Sequence, residues 1–131
     1  MKSRHSTTLV AALGLLAFAA VAAAQAVDTK PFIGAWKGTL NIAGQELEIG
    51  LNFTLDEAKA IQGTFDSISQ GATGLKLGTI EVKDKTISFM ISDPQVPEQA
   101  AFKGALDGTG KKLSGEFTQA GFTGTFAVDK Q

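Results

Sequence analysis

Trp36-Lys37-Gly38-Thr39-Leu40 sets a pattern that returns four more times. The returns are Ile61-Gln62-Gly63-Thr64-Phe65, Phe102-Lys103-Gly104-Ala105-Leu106, Leu113-Ser114-Gly115-Glu116-Phe117 and Phe122-Thr123-Gly124-Thr125-Phe126. Each copy reads large apolar, small or polar, Gly, small or polar, large apolar. In a strand, successive side chains point to opposite faces, so the first, third and fifth positions share one face. That face carries two bulky groups with a glycine between them. A glycine inside a strand weakens it and marks a bend or a close approach of another backbone. Five such strands predict a sheet that coils tightly on itself, and so a small closed or nearly closed all-β barrel.

The rest of the chain fits around these copies. The first strand is expected over Ala35–Ile42, after a lead-in, residues 27–33, in which Pro31 biases Lys30 toward an extended conformation. Ala43-Gly44-Gln45 turns into a second strand, Glu46–Leu55, where Leu47, Ile49, Leu51, Phe53 and Leu55 alternate with polar or small residues. Strict alternation implies one buried and one wet face, as in antiparallel sheets. Further strands are expected over residues 61–65, 75–83, 86–92, 100–106, 113–118 and 122–128. The phase slips in the fourth, between Leu77 and Ile80, and a bulge near Gly78-Thr79 would absorb the extra residue. Asp66–Gly74 is the one long connection, and Pro94 and Pro97 exclude residues 93–98 from any central strand. Eight short strands with short links predict a single antiparallel up-and-down barrel over residues 27–131.

Residues 1–24 read differently. Lys2, Arg4 and His5 form a basic head, Leu9–Ala24 is an apolar run of 16 residues, and small-x-small sites follow at Ala22–Ala24 and Ala24–Ala26. This is the layout of a cleaved signal peptide, with cleavage after 24 or 26, and the run is shorter than the ~20 residues of a membrane-spanning helix. The expectation is a secreted or periplasmic protein with no membrane span after removal. The remaining 107 residues carry 10 lysines against 13 acidic groups, a charge of −3, with no Arg, His, Cys or Tyr. Isolated lysines on a mildly acidic chain do not suit nucleic acid, which calls for clustered positive charge.

Chemistry-bearing residues are sparse. Without His or Cys the usual activated nucleophiles are missing, and the acidic residues lack calcium-loop spacing; no metal and no cofactor is expected. A Ser-Lys pairing of Ser67 or Ser69 with Lys76 has no distinguishing spacing, and Glu46 and Glu48 share a solvent face. Asp107-Gly108-Thr109-Gly110 reads as a hairpin turn. The chain is therefore expected not to be an enzyme.

Two places could bind something. Asp66, Ser67 and Gln70 could line a barrel mouth, or could hold their own loop together through side-chain bonds to nearby backbone. The interior is the second place. Eight-stranded barrels are filled by side chains or hold one small ligand, and the inward glycines could leave a pocket or let the walls close together. The candidate ligand-binding set for interior and mouth is Trp36, Leu40, Phe53, Phe65, Gln70, Phe89, Phe102, Phe117 and Phe126. The leading expectation is a small apolar or amphiphilic ligand.

Gly34-Ala35-Trp36 on the first strand resembles the Gly-x-Trp signature of lipocalin and calycin barrels. That resemblance implies that Trp36 packs beneath a late Arg or Lys, for which Lys130 is the late candidate, while the short chain argues against a large cavity. A second likeness covers nearly the whole mature chain. Gly34-x-Trp36-x-Gly38-x-Leu40, Gly63-Thr64-Phe65-Asp66-Ser67, Gln70-Gly71-Ala72-x-Gly74 and Leu113-x-Gly115-x-Phe117-x-Gln119-x-Gly121 resemble a small bacterial β-domain often found ahead of secreted α/β-hydrolases. It implies an alternative role as an accessory protein-interaction domain working with a secreted hydrolase. No hydrolase domain follows in this sequence, so esterase activity is not expected to carry over.

Overall fold

The computed structural model describes residues 28–131, so the expected signal peptide lies outside the described residues. Eight strands follow one another: β1 Gly34–Ile42, β2 Gln45–Leu55, β3 Ile61–Ser67, β4 Ala72–Lys83, β5 Thr86–Ile91, β6 Ala100–Leu106, β7 Lys112–Gln119 and β8 Phe122–Lys130. Each pairs antiparallel with the next, and β8 returns to β1 from Trp36↔Lys130 to Asn41↔Thr125, closing the barrel. The up-and-down barrel read from the strand spacing is the fold observed. No described helix is long and apolar enough to cross a membrane.

The bulge in β4 is where the phase slip placed it. Register shifts between Gly78↔Met90 and Glu81↔Ser88, with Thr79 in a positive-φ conformation. The expected long connection is shorter than the sequence suggests. β3 runs on through Ser67, a 3-10 turn covers Ile68–Gln70, Gly71 is left-handed, and β4 already begins at Ala72. A second register shift, between Phe65 and Ser67, permits this early return. Lys30 is also not extended as Pro31 suggested; it opens a 3-10 turn, Lys30–Phe32, with the proline in its first turn. There the missing proline N–H would have no helical partner in any case, and the turn buries Phe32 completely.

The inward glycines divide into two kinds. A Cβ on Gly38 would collide with the Ala127 carbonyl of β8 and lie 2.7 Å from Val128 Cα; Gly115 faces the Lys103 carbonyl in the same way, and Gly124 that of Asn41. These three let adjoining backbones approach closely at the β1–β8 and β6–β7 seams. Gly63 and Gly104 instead face side chains, Phe53 and Leu77 for the first, Phe126 and Leu113 for the second. The volume freed by glycine is thus taken up by neighbouring backbone or by core side chains. A single buried cluster results, from Phe32 at one end to Ala100 near the other, and among the described residues Ser67 is the one buried polar side chain.

Candidate functional site

The eight apolar members of the candidate set sit together inside the barrel. Trp36, Leu40, Phe53, Phe65, Phe89, Phe102, Phe117 and Phe126 are all at most 5% exposed. Phe102 is their hub. Its ring centroid lies 4.8 Å from Phe89, 4.7 Å from Phe117, 5.4 Å from Phe65 and 5.2 Å from Phe126, and Phe53 meets Phe89 edge-on at 5.5 Å. These are contact spacings for aromatic pairs. The space that the sequence offered to a ligand is occupied by the residues that were to line it.

One end of the barrel, the base, is sealed by the lead-in. Trp36 donates its indole Nε1–H to the Phe32 carbonyl at 3.0 Å, which satisfies the one polar atom of a buried indole. Lys130 Nζ lies 5.5 Å from the Trp36 ring centroid and donates to the Pro31 carbonyl at 3.2 Å. The late lysine therefore packs on the tryptophan as expected and ties the turn to β8.

The other end, the mouth, carries the β1–β2, β3–β4, β5–β6 and β7–β8 connections. Gln70, the ninth candidate, is exposed here and separate from the aromatic cluster. The buried Ser67 hydroxyl donates to Gln70 Oε1 at 2.7 Å. Asp66 Oδ1 accepts the Gly74 N–H at 2.7 Å, and Ser69 Oγ accepts the Glu48 N–H at 2.8 Å. The polar residues of this loop are thus engaged in holding it together. Across the mouth, the β5–β6 connection is organised by Asp93. Its carboxylate accepts the backbone N–H groups of Gln95 and Lys76, and these bonds hold its pKa below the usual aspartate value. At the base Asp107 is lowered likewise, first by the Thr109 hydroxyl, in the hairpin turn anticipated there.

Phe122, absent from the candidate set, is the most exposed large apolar residue among the described residues, at 58%. Its register places it on the inward face with Phe126, but it is the first residue of β8 and so stands at the rim, past the packed interior. A groove of about 420 Å³ opens beside it, floored by Ile42, Ala43, Pro97 and Ala120 and edged by Gln45, Glu98 and Gln119. The signal that could have found Phe122 was its place directly after the Gln119-Ala120-Gly121 turn. A second groove, of about 450 Å³, lies on the outer wall where the β3–β4 ladder stops at Thr64↔Lys76, and Asn52, Gln62 and Thr64 make it polar. No group of three or more His, Cys, Asp or Glu side chains that could together hold a metal ion is found among the described residues.

No family model matches this chain, and no curated protein does. Among solved structures, one described as a redesigned beta barrel is similar with a TM-score of 0.64 at 18% identity, over 78% of this chain and 93% of that one. At that identity the likeness concerns the fold, and it agrees with the closed eight-stranded architecture described above.

Proposed function

We propose that this protein is an exported, non-enzymatic interaction domain of lipocalin-like form that engages a partner protein through the mouth of its barrel. The observation that carries this reading is Phe122, more than half exposed beside an apolar groove, while every other aromatic ring of the barrel is buried. A contiguous apolar patch rimmed by polar residues marks an interaction site, and Phe122 is continued here by Ile42, Ala43, Pro97 and Ala120. A small apolar ligand inside the barrel would have to displace the Phe102 cluster. In the open groove, such a ligand would be covered on one side only, whereas small-molecule sites bury most of their ligand. The polar residues of the β3–β4 loop, at the same end of the barrel but outside the groove, are already hydrogen-bonded, which suits a structural role for that loop better than a catalytic one. A secreted hydrolase, suggested by the resemblance in the sequence, is the first partner to test.

The experiment is co-purification from the exported fraction of the source cells, with wild-type protein and Phe122→Ser compared quantitatively. The expected result is a partner retained by the wild type and lost from the variant, at unchanged thermal midpoint. Equal capture by both would remove the mouth from consideration. A fatty acid that raised the midpoint equally in both proteins would return the ligand site to the interior.

A further inference from the structure

Charge is sorted along the barrel axis. The mouth connections with their flanking strand ends, residues 42–48, 65–74, 91–100 and 118–123, contain Glu46, Glu48, Asp66, Asp93 and Glu98 and no lysine, while Lys37 on the wall beside Glu46 and Glu48 and Lys76 beside Asp93 offset part of that charge. The base, residues 28–36, 54–62, 81–88, 104–114 and 128–131, balances seven lysines against seven carboxylates. Among the described residues the mouth carboxylates form no ion pair; the ion pair present, Lys112 to Asp129 at 3.1 Å, is at the base. Asp66 and Asp93 are engaged with backbone N–H groups. Glu46, Glu48 and Glu98 are exposed, and no described hydrogen bond engages their carboxylates.

The carboxylates sit on three of the four mouth connections, and Phe122 stands on the fourth. An apolar rim with Glu98 in its groove and further carboxylates on the neighbouring connections selects its partner by both features. Like charge turns away acidic surfaces, and complementary charge speeds and orients encounter. We infer that the mouth docks a cationic amphipathic segment of a partner protein, its apolar face on Phe122 and Ile42 and its lysines or arginines reaching Glu98 and the carboxylates of the neighbouring connections. This rests on the proposal that the mouth is the docking surface. A small cationic amphiphile, with one charge, would leave most of the mouth carboxylates unused; several positive charges spaced along one segment can reach more of them.

The test uses the full exported protein and three short amphipathic peptides, built from Leu and Lys, Leu and Gln, and Leu and Glu, with binding read by fluorescence anisotropy. The Leu/Lys peptide is expected to bind roughly tenfold more tightly than the Leu/Gln peptide at low salt, the size expected of a few exposed charge pairs. That advantage should largely vanish at about 0.5 M salt and in the Glu46→Gln/Glu48→Gln/Glu98→Gln variant. Amide shifts of the wild type with the Leu/Lys peptide should change at the mouth. If the Leu/Lys and Leu/Gln peptides bind equally and both depend on Phe122, the charge inference is overturned and mouth docking stands. If Phe122→Ser binds the Leu/Lys peptide like the wild type, or the shifts cluster at the base, both readings are overturned.

Discussion

Replacing Gly38 by alanine probes the closure of the barrel directly. The added Cβ would strike the Ala127 carbonyl and crowd Val128 Cα, both backbone atoms of β8 that cannot rotate aside as a side chain can. To admit it, β1 and β8 must separate at Gly38↔Val128, in the middle of the seam that closes the cylinder. Overpacking against core side chains costs about 1–3 kcal/mol. Against backbone the cost should reach or pass the top of that range, about 3 kcal/mol or more, a large share of the ~5–15 kcal/mol that holds a domain together. In a domain of this size it corresponds to a midpoint lowered by roughly 12–24 °C. Two companions set the scale. In Gly63→Ala the nearest atoms are the ends of Phe53 and Leu77, which can shift, so the expected loss is about 1–2 kcal/mol. Gly108→Ala meets nothing within 4 Å, so its stability should hold or rise by up to about 1 kcal/mol through the unfolded chain. Urea unfolding followed by the fluorescence of Trp36, the single tryptophan, gives all three. A Gly38→Ala protein as stable as Gly108→Ala would refute the idea that these glycines exist for backbone approach.

Three further outcomes follow from the same geometry. Phe102→Ala removes the ring that four other phenylalanines touch and should cost about 3–5 kcal/mol in denaturant unfolding; a loss under about 1 kcal/mol would mean that the cluster is loosely packed. Trp36→Phe leaves the Phe32 carbonyl without its indole donor, at about 1–3 kcal/mol, and the loss should exceed that of Lys130→Ala, whose contact with the ring is worth about 0.5–1 kcal/mol. Asp93 has a lowered pKa in the folded protein, so its carboxylate stabilises the fold above the ordinary aspartate value near 4, and that contribution fades as pH falls through the lowered value. Asp93→Asn should therefore be less stable than wild type at pH 7 and converge with it in acid; a gap that stays constant with pH would contradict the assignment.

Much of the architecture was written in local signals. Alternation in β2 gave its two faces, the Gly-centred copies marked close approach, and the change of phase between Leu77 and Ile80 located the bulge. Asp66–Gly74 looks like a longer loop in sequence than it is, because its strand-forming part consists of polar residues, Asp66 and Ser67, whose pairing with Gly50 and Ile49 of β2 is not local. The turn at Lys30 was missed because burial of Phe32 under Trp36 outweighs the bias that proline places on the residue before it. The site was less legible than the fold. That the interior set would be buried followed from phase, but whether it would surround a void depended on ring contacts between distant residues, such as Phe65 with Phe102. Phe122 shares the inward phase of Phe126 and differs only in height along the barrel, which periodicity does not report.

If the glycines close the strands onto a solid aromatic core, the barrel holds no apolar void. Apolar voids take up xenon readily, so a crystal of the protein held under xenon pressure reports whether one exists. No xenon should appear inside the barrel, whereas an occupied position among Phe65, Phe102 and Phe117 would contradict a solid core.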